Sequence, residues 1–393
     1  MVEVYSKAID KAVSINRILF EIKGNSKGPT IVFFGGIHGN EPAGIFALKS
    51  VLSKLDEKIV NGNIYAISGN LKALEEGKRY IVKDLNRLWT VDGIDRLLQS
   101  HRIVSEHQEQ IEIYNLLNNI ISENKGPFYF IDLHTTSSKT LPFITINDAI
   151  INRKFSNQFP VPTVLGIEEY LSGPLLSYIN TLGYVSLGFE SGQHDSKKAI
   201  LNNISFINLV LEQANIIKLH DASEHYNVLK KGAQNLTETF EVIYLHKIKD
   251  SDDFEILPAF KSFETVKRGT LIALHNNKEV VARYNASIFM PLYQKRGNEG
   301  FFLIKKIPPF FLKLSIFLRA KKADRFFVLA PGISWQNKEK GILKVNLKIA
   351  KYYAKSVFHL LGYRSKEADK THLFVTNRER VSKTKSYLKE PWF

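Results

Sequence analysis

The 393-residue sequence predicts an α/β fold, a mostly parallel or mixed sheet flanked by helices. Two observations carry that prediction. Short apolar runs alternate with helical stretches up to about residue 220. Polar residues able to do chemistry sit at the carboxyl ends of three of those runs, the edge where open α/β sheets bind ligands.

Taken in order, residues 31–35 (IVFFG) read as a buried strand. Residues 40–59 read as a helix with Ile45, Leu48, Leu52 and Leu55 on one face. Residues 63–68 form a strand and residues 111–121 a helix; residues 129–133, 143–146 and 185–189 are strands. Such alternation argues for helices layered on a largely parallel sheet. From about residue 225 the pattern changes. Residues 239–245 alternate with period two, residues 271–274 and 280–284 flank an Asn276-Asn277 turn, and residues 301–304 follow Gly297 and Gly300. Three parts are therefore expected: an α/β domain over 1–222, a β-rich domain over 223–305 and a C-terminal extension over 306–393. A helix is expected at 345–361, with Leu347, Ala350, Ala354, Val357 and Leu361 on its apolar side and Lys344, Lys348, Lys351 and Lys355 on the other.

Composition narrows the function. With no cysteine there are no disulfides, thiol nucleophiles or Cys-ligated metals, so any metal is held by His and carboxylates. The net charge of +15 is local: residues 305–393 hold 21 of the 54 Lys and Arg but 6 of the 39 Asp and Glu. The first eleven residues lack the pattern of a signal peptide, and no apolar run is long enough to span a membrane. A cytoplasmic protein is the expectation.

The stretch GGIHGNEPAG, residues 35–44, puts His38 and Glu41 at i and i+3 between a strand end and a helix start. So placed, an imidazole and a carboxylate can converge on one cation, and Gly35, Gly36 and Gly39 permit the tight backbone; taken alone, the spacing equally suits polar loop residues with no ligand. The glycines lack the Lys-Ser/Thr of a phosphate-binding loop. In YFIDLHTT, residues 129–136, an apolar strand ends at His134, a candidate third ligand. Two His and one Glu leave a fourth position open, the form a catalytic zinc site takes. Asp132 either supports a ligand or caps the following turn. In VSLGFESGQH, residues 185–194, a third strand ends at Glu190, a carboxylate suited to general-base work. His194, four residues on, reads as a surface-loop residue, with a direct role in the site as the alternative. KRYIVKDLNR, residues 78–87, adds Arg79, Asn86 and Arg87, donors that match carboxylates and developing oxyanions.

Together, GGIHGNEPAG, GNLKALEEGKRYIVKDLNRLW, YFIDLHTT and GFESG resemble the succinylglutamate desuccinylase/aspartoacylase family, within the wider zinc carboxypeptidase-like fold. The likeness covers about residues 30–195, with a weaker match at residues 288–305. The resemblance implies one zinc per chain held by His38, Glu41 and His134, with Glu190 as general base and later proton donor. It implies Arg79 as the group that polarises the scissile carbonyl, and Asn86 and Arg87 as the grip on a substrate carboxylate. It also implies that Tyr293, in MPLYQK, contacts the substrate. It further implies that the domain over 1–222 is catalytic and that the β-rich domain over 223–305 caps its active site. The implied activity is zinc-dependent hydrolysis of a small N-acyl amino acid. Two alternatives stand beside it: a zinc carboxypeptidase acting on short peptides, and a non-catalytic protein that binds anions through its basic C-terminal segment.

That segment carries no recognised nucleic-acid motif. Its charge and the aromatic-rich run at 307–318 suit a weak anionic partner or a membrane surface. The plainer reading is a solvated helix face and a strand packed on the β-rich domain. The sequence leaves the oligomeric state open.

Overall fold

The computed structural model describes residues 1–25, 27–99, 104–249, 251–258, 260–350, 354–367 and 371–393. An eleven-stranded mixed sheet forms its centre. In chain order the strands are β1 (Ile18–Lys23), β2 (Thr30–Gly35), β3 (Asn63–Ser68), β4 (Phe128–Thr136), β5 (Phe143–Ile146), β6 (Thr163–Leu165), β7 (Val185–Gln193), β8 (Thr239–Lys247), β9 (Thr265–Val266), β10 (Ala286–Phe289) and β11 (Glu299–Lys306). They lie in the order β9-β10-β11-β8-β6-β5-β7-β4-β2-β3-β1. The run β3-β2-β4-β7 is parallel throughout.

Both faces of that parallel run are covered, which is why its strands read as unbroken apolar stretches. Ile31, Phe33, Tyr129 and Ile131 face α1 (Ala43–Leu52) and α3 (Lys197–Gln213). The alternate residues Val32, Phe34, Phe128 and Phe130 face Ile113, Leu117 and Ile120 of α2 (Ser105–Glu123). The helix expected at 40–59 is shorter, beginning after Pro42 and ending at Leu52. A separate turn over Glu57–Ile59 follows it, where Asp56 accepts from the backbone N–H of Lys58.

The β-rich stretch continues the central sheet. Strand β8 pairs in parallel with β6, Phe240 opposite Val164, and antiparallel with β11. Between residues 223 and 234 the chain forms α4 (Ser223–Gly232), packed against α3. A small antiparallel sheet of Phe254–Ile256, Leu271–His275 and Lys278–Val281 stands beyond.

The C-terminal part differs from expectation. It holds α5 (Pro309–Ala320) and a four-stranded antiparallel sheet of β12 (Ile333–Asn337), β13 (Ile342–Asn346), β14 (Tyr363–Glu367) and β15 (His372–Asn377). The helix expected at 345–361 does not begin at Val345, which lies in β13 opposite Ile333 and Leu373. Helical turns span Leu347–Ala350, where Asn346 Oδ1 accepts from the N–H of Lys348, and Ala354–Leu360. The expected lysine stripe is therefore not one helical face, because Lys344 belongs to the strand; Lys351 lies outside the described residues.

This part is bound into the molecule by charge and by aromatic packing. Asp148, fully buried just past β5, bonds Arg153 at 2.5 Å, Arg319 at 3.0 Å and Arg364 at 2.6 Å. Burial alone would raise its carboxyl, but the three guanidiniums hold it well below the usual range. Tyr387 reaches into the central sheet, where its hydroxyl donates to Phe128 O (2.5 Å) and accepts from Val185 N (3.0 Å). Among the described residues, no helix is long and apolar enough to cross a membrane.

Candidate active site

The carboxyl ends of β2, β4 and β7 bring the predicted residues together. The chain leaves β2 through Gly36, whose φ of +72° is left-handed and favours glycine. Gly39 then passes so close to the Ala73 backbone that a Cβ would collide with it. This tight path turns His38 inward, and Glu41 follows at the threshold of α1.

His38 Nδ1 and Glu41 Oε1 lie 2.9 Å apart, and His134 Nδ1 and Glu41 Oε2 lie 3.0 Å apart. All three side chains are buried, and their prospective ligand atoms lie within 4.8 Å of one another. The opposite ring nitrogens meet carboxylates: His38 Nε2 is 3.1 Å from Asp84, and His134 Nε2 is 2.8 Å from Asp132. Carboxylates so placed fix ring orientation and raise the basicity of a ligand nitrogen. Asp132 thus stands behind His134 rather than capping a turn. Burial would raise Glu41 and lower His134, but charge wins at both. The imidazoles hold Glu41 well below its ordinary range, and Asp132 and Glu41 hold His134 well above its own.

Two inward imidazole nitrogens and a carboxylate, with both rings braced from behind, form a donor set that fits a divalent metal ion.

Glu190 lies beside this cluster. It is buried, and its Oε2 has no hydrogen-bond partner in the protein. Burial pushes its carboxyl up to about 8; Glu41 and Asp132 push in the same direction, while His134 and Arg79 oppose. A carboxyl that titrates near neutrality is suited to taking up and releasing a proton.

The segment carrying Arg79, Asn86 and Arg87 is held by a residue absent from the sequence expectations. Glu106, fully buried at the start of α2, accepts from the backbone N–H groups of Ile81 (2.6 Å), Val82 (3.2 Å) and Lys83 (3.2 Å). Arg79 donates to Asp84 through Nε and Nη2, at 3.2 and 3.0 Å, and its Nη1 faces Glu41 at 3.5 Å. Asn86 lines the cleft, and its side-chain oxygen accepts from Leu175 N. Arg87 also lines it and donates to Glu299 at 3.0 Å.

Tyr293 is placed differently from expectation. Its hydroxyl donates to Leu257 O (2.9 Å) and accepts from Phe260 N (3.1 Å), which commits it to a neighbouring loop. The next residue, Gln294, lines the cleft instead, and its side-chain oxygen lies 3.0 Å from Asn40 Nδ2. His194, read from sequence as a loop residue, also lines the cleft, with Nδ1 2.7 Å from Thr135 Oγ1 and Nε2 3.4 Å from Gln294. Asp84 and Gln294 lie inside the stretches KRYIVKDLNR and MPLYQK, where the sequence assigns them no role, and Glu106 lies in no motif, because its partners Ile81, Val82 and Lys83 belong to a separate stretch of chain.

Residues 27–196 match the model of the succinylglutamate desuccinylase/aspartoacylase catalytic domain. A probable aspartoacylase of Nostoc sp. is 35% identical over 111 residues, 28% of this chain and 35% of that protein. A succinylglutamate desuccinylase of Photorhabdus laumondii is 33% identical over 112 residues, 27% of this chain and 33% of that protein. The chain thus spans about a third of the length of these curated relatives. The crystal structure of a succinylglutamate desuccinylase/aspartoacylase from Rhodobacter sphaeroides superposes with a TM-score of 0.57 at 17% identity, covering 73% of this chain and 88% of that one. At that identity the likeness speaks to fold.

Proposed function

We propose, from the match of residues 27–196 to the succinylglutamate desuccinylase/aspartoacylase catalytic-domain model, that this protein is a zinc-dependent amidohydrolase that removes the acyl group from a small N-acyl amino acid. The observation that carries this reading is the meeting of His38, Glu41 and His134 within 4.8 Å, beside the unpartnered carboxylate of Glu190.

His38, Glu41 and His134 would hold the ion. When bound, zinc supplies Lewis acidity, which brings the pKa of a water toward 7 and polarises a carbonyl. The remaining work falls to the chain. Glu190 takes a proton from the attacking water and later delivers it to the departing amine nitrogen. Arg79, fixed by its two bonds to Asp84, stabilises the negative charge that develops on the carbonyl oxygen. Asn86 and Arg87 receive the carboxylate of the amino-acid part and align the amide. The cleft encloses ≈ 130 Å³, below the several hundred Å³ common for larger ligands, which favours a small substrate over a peptide.

The test is chromatographic detection of released amine from N-acetyl, N-succinyl and longer N-acyl amino acids, with short peptides in the same set. Release from N-acyl amino acids, absent with Glu190→Gln, is expected. Release from peptides alone, or from no compound, refutes the reading.

A further inference from the structure

The proposed reaction requires a substrate with a carboxylate, and the cleft itself says how many charges the remainder of that substrate carries. Among the described lining residues, Arg79 and Arg87 are the Lys or Arg side chains present. Arg79 is fixed by Asp84 and Glu41 and serves the carbonyl oxygen in the proposed reaction, so it is not the partner of a side-chain carboxylate. Arg87 shares its fork with Glu299 and the Asn86 carbonyl, keeping its other N–H groups for an incoming anion. His194 has both ring nitrogens occupied by Thr135 and Gln294. The site therefore offers one cationic position to a substrate carboxylate, and Glu299 already balances it.

Beyond these groups and the carboxylates and imidazoles of the reaction centre, the rest of the lining is uncharged and largely hydrocarbon: Ile146, Ile167, Leu171, Leu176, Leu292 and Phe302 share it with neutral hydroxyl and amide groups such as those of Thr145, Asn147 and Ser177. Phe302 is 2% exposed and packed with Phe240 and Phe289, so this wall is fixed by the core and its ring brings no hydroxyl to the cleft. The turn Ile167–Glu169 shows how the apolar lining is kept free of charge. It presents Ile167 to the cleft, while Glu168 and Glu169 turn the other way, toward Arg364 of the C-terminal part at 3.8 and 3.6 Å.

Resting on the amidohydrolase reading, we infer that the substrate's amino acid carries a single carboxylate and an apolar side chain, and that dicarboxylic substrates are rejected. A second carboxylate would leave water for this wall, or for Glu299, without a counter-charge, and an unpaired buried ion is strongly disfavoured.

The experiment compares kcat/KM for N-acetyl-leucine, N-acetyl-methionine and N-acetyl-phenylalanine with that for N-acetyl-aspartate, N-acetyl-glutamate and N-succinyl-glutamate. The apolar group is expected to lead by about 10²-fold or more. Leu171→Arg, or Ile167→Arg should the first variant misfold, adds a cation to the wall and is expected to shrink that lead by at least about tenfold. Faster hydrolysis of the dicarboxylic compounds by the unaltered protein overturns the inference while leaving the amidohydrolase reading intact. Hydrolysis of neither group removes the amidohydrolase reading itself, and this inference with it.

Discussion

His134 and Glu190 are register partners on adjacent parallel strands, so the backbone ladder between β4 and β7 fixes a prospective metal ligand beside a free carboxylate. The two roles are separable by substitution. Glu190→Gln keeps the shape of the side chain and removes the proton acceptor. It should lower kcat by about 10²–10⁴-fold while metal content, read by elemental analysis, stays unchanged. Unchanged turnover would take Glu190 out of the mechanism.

The same carboxyl sets a pH dependence in metal-free protein. Burial pushes it up to about 8, so between the ordinary carboxylate range and pH 8 the folded chain keeps a proton that the unfolded chain has lost. The folded state binds more protons there, so this group's contribution to stability falls as pH rises through that window. After chelation, Glu190→Gln should melt at a higher temperature than the parent at pH 9. At pH 4 the carboxyl is neutral in both states and the two should melt alike. An equal difference at both pH values would contradict this.

Glu106 holds the segment of Arg79 and Arg87 through three backbone N–H groups without reaching the cleft itself. Glu106→Ala removes the acceptor that those three N–H groups share and lets both guanidiniums drift. A fall in kcat/KM of about 10²-fold is expected, the scale of an ångström of misplacement, with metal content intact. Full activity in a folded variant would show that the segment keeps its shape unaided.

Asp148 is shared by three guanidiniums, two of them from the C-terminal part. Asp148→Ala removes that common buried partner, while Glu379 stays with Arg319 and Glu168 and Glu169 stay with Arg364. It should cost about 3–5 kcal/mol in urea denaturation. Because the carboxyl is held below its usual range, its contribution is complete above the ordinary aspartate value and disappears as acid carries pH through the depressed one. A loss under about 1 kcal/mol, the scale of an exposed pair, would contradict the buried arrangement.

The central strands were legible because β2, β3 and β5 are short apolar runs bounded by glycine and polar residues. The cluster of His38, Glu41 and His134 was legible because each follows such a run directly. Other features lacked a local signal. In residues 342–348 a strand turns straight into a helix at Asn346, and the spacing of Lys344 and Lys348 mimics one helical face across that junction. Strands β12 to β15 are short and stabilised by cross-strand partners that no single segment announces. Asp84 and Glu106 look like ordinary surface acids until the fold buries their partners. Tyr293 and Gln294 are adjacent, so only the path of the 290–297 loop decides which side chain reaches the cleft.

The central claim is amide hydrolysis dependent on an ion held by His38, Glu41 and His134. Its most direct test is amine release from N-acyl amino acids before and after chelation, with metal counted per chain. The account predicts that release stops on chelation, returns with about one zinc per chain, and is absent from His134→Ala, which should not retain the ion. Undiminished release from metal-free protein would contradict it.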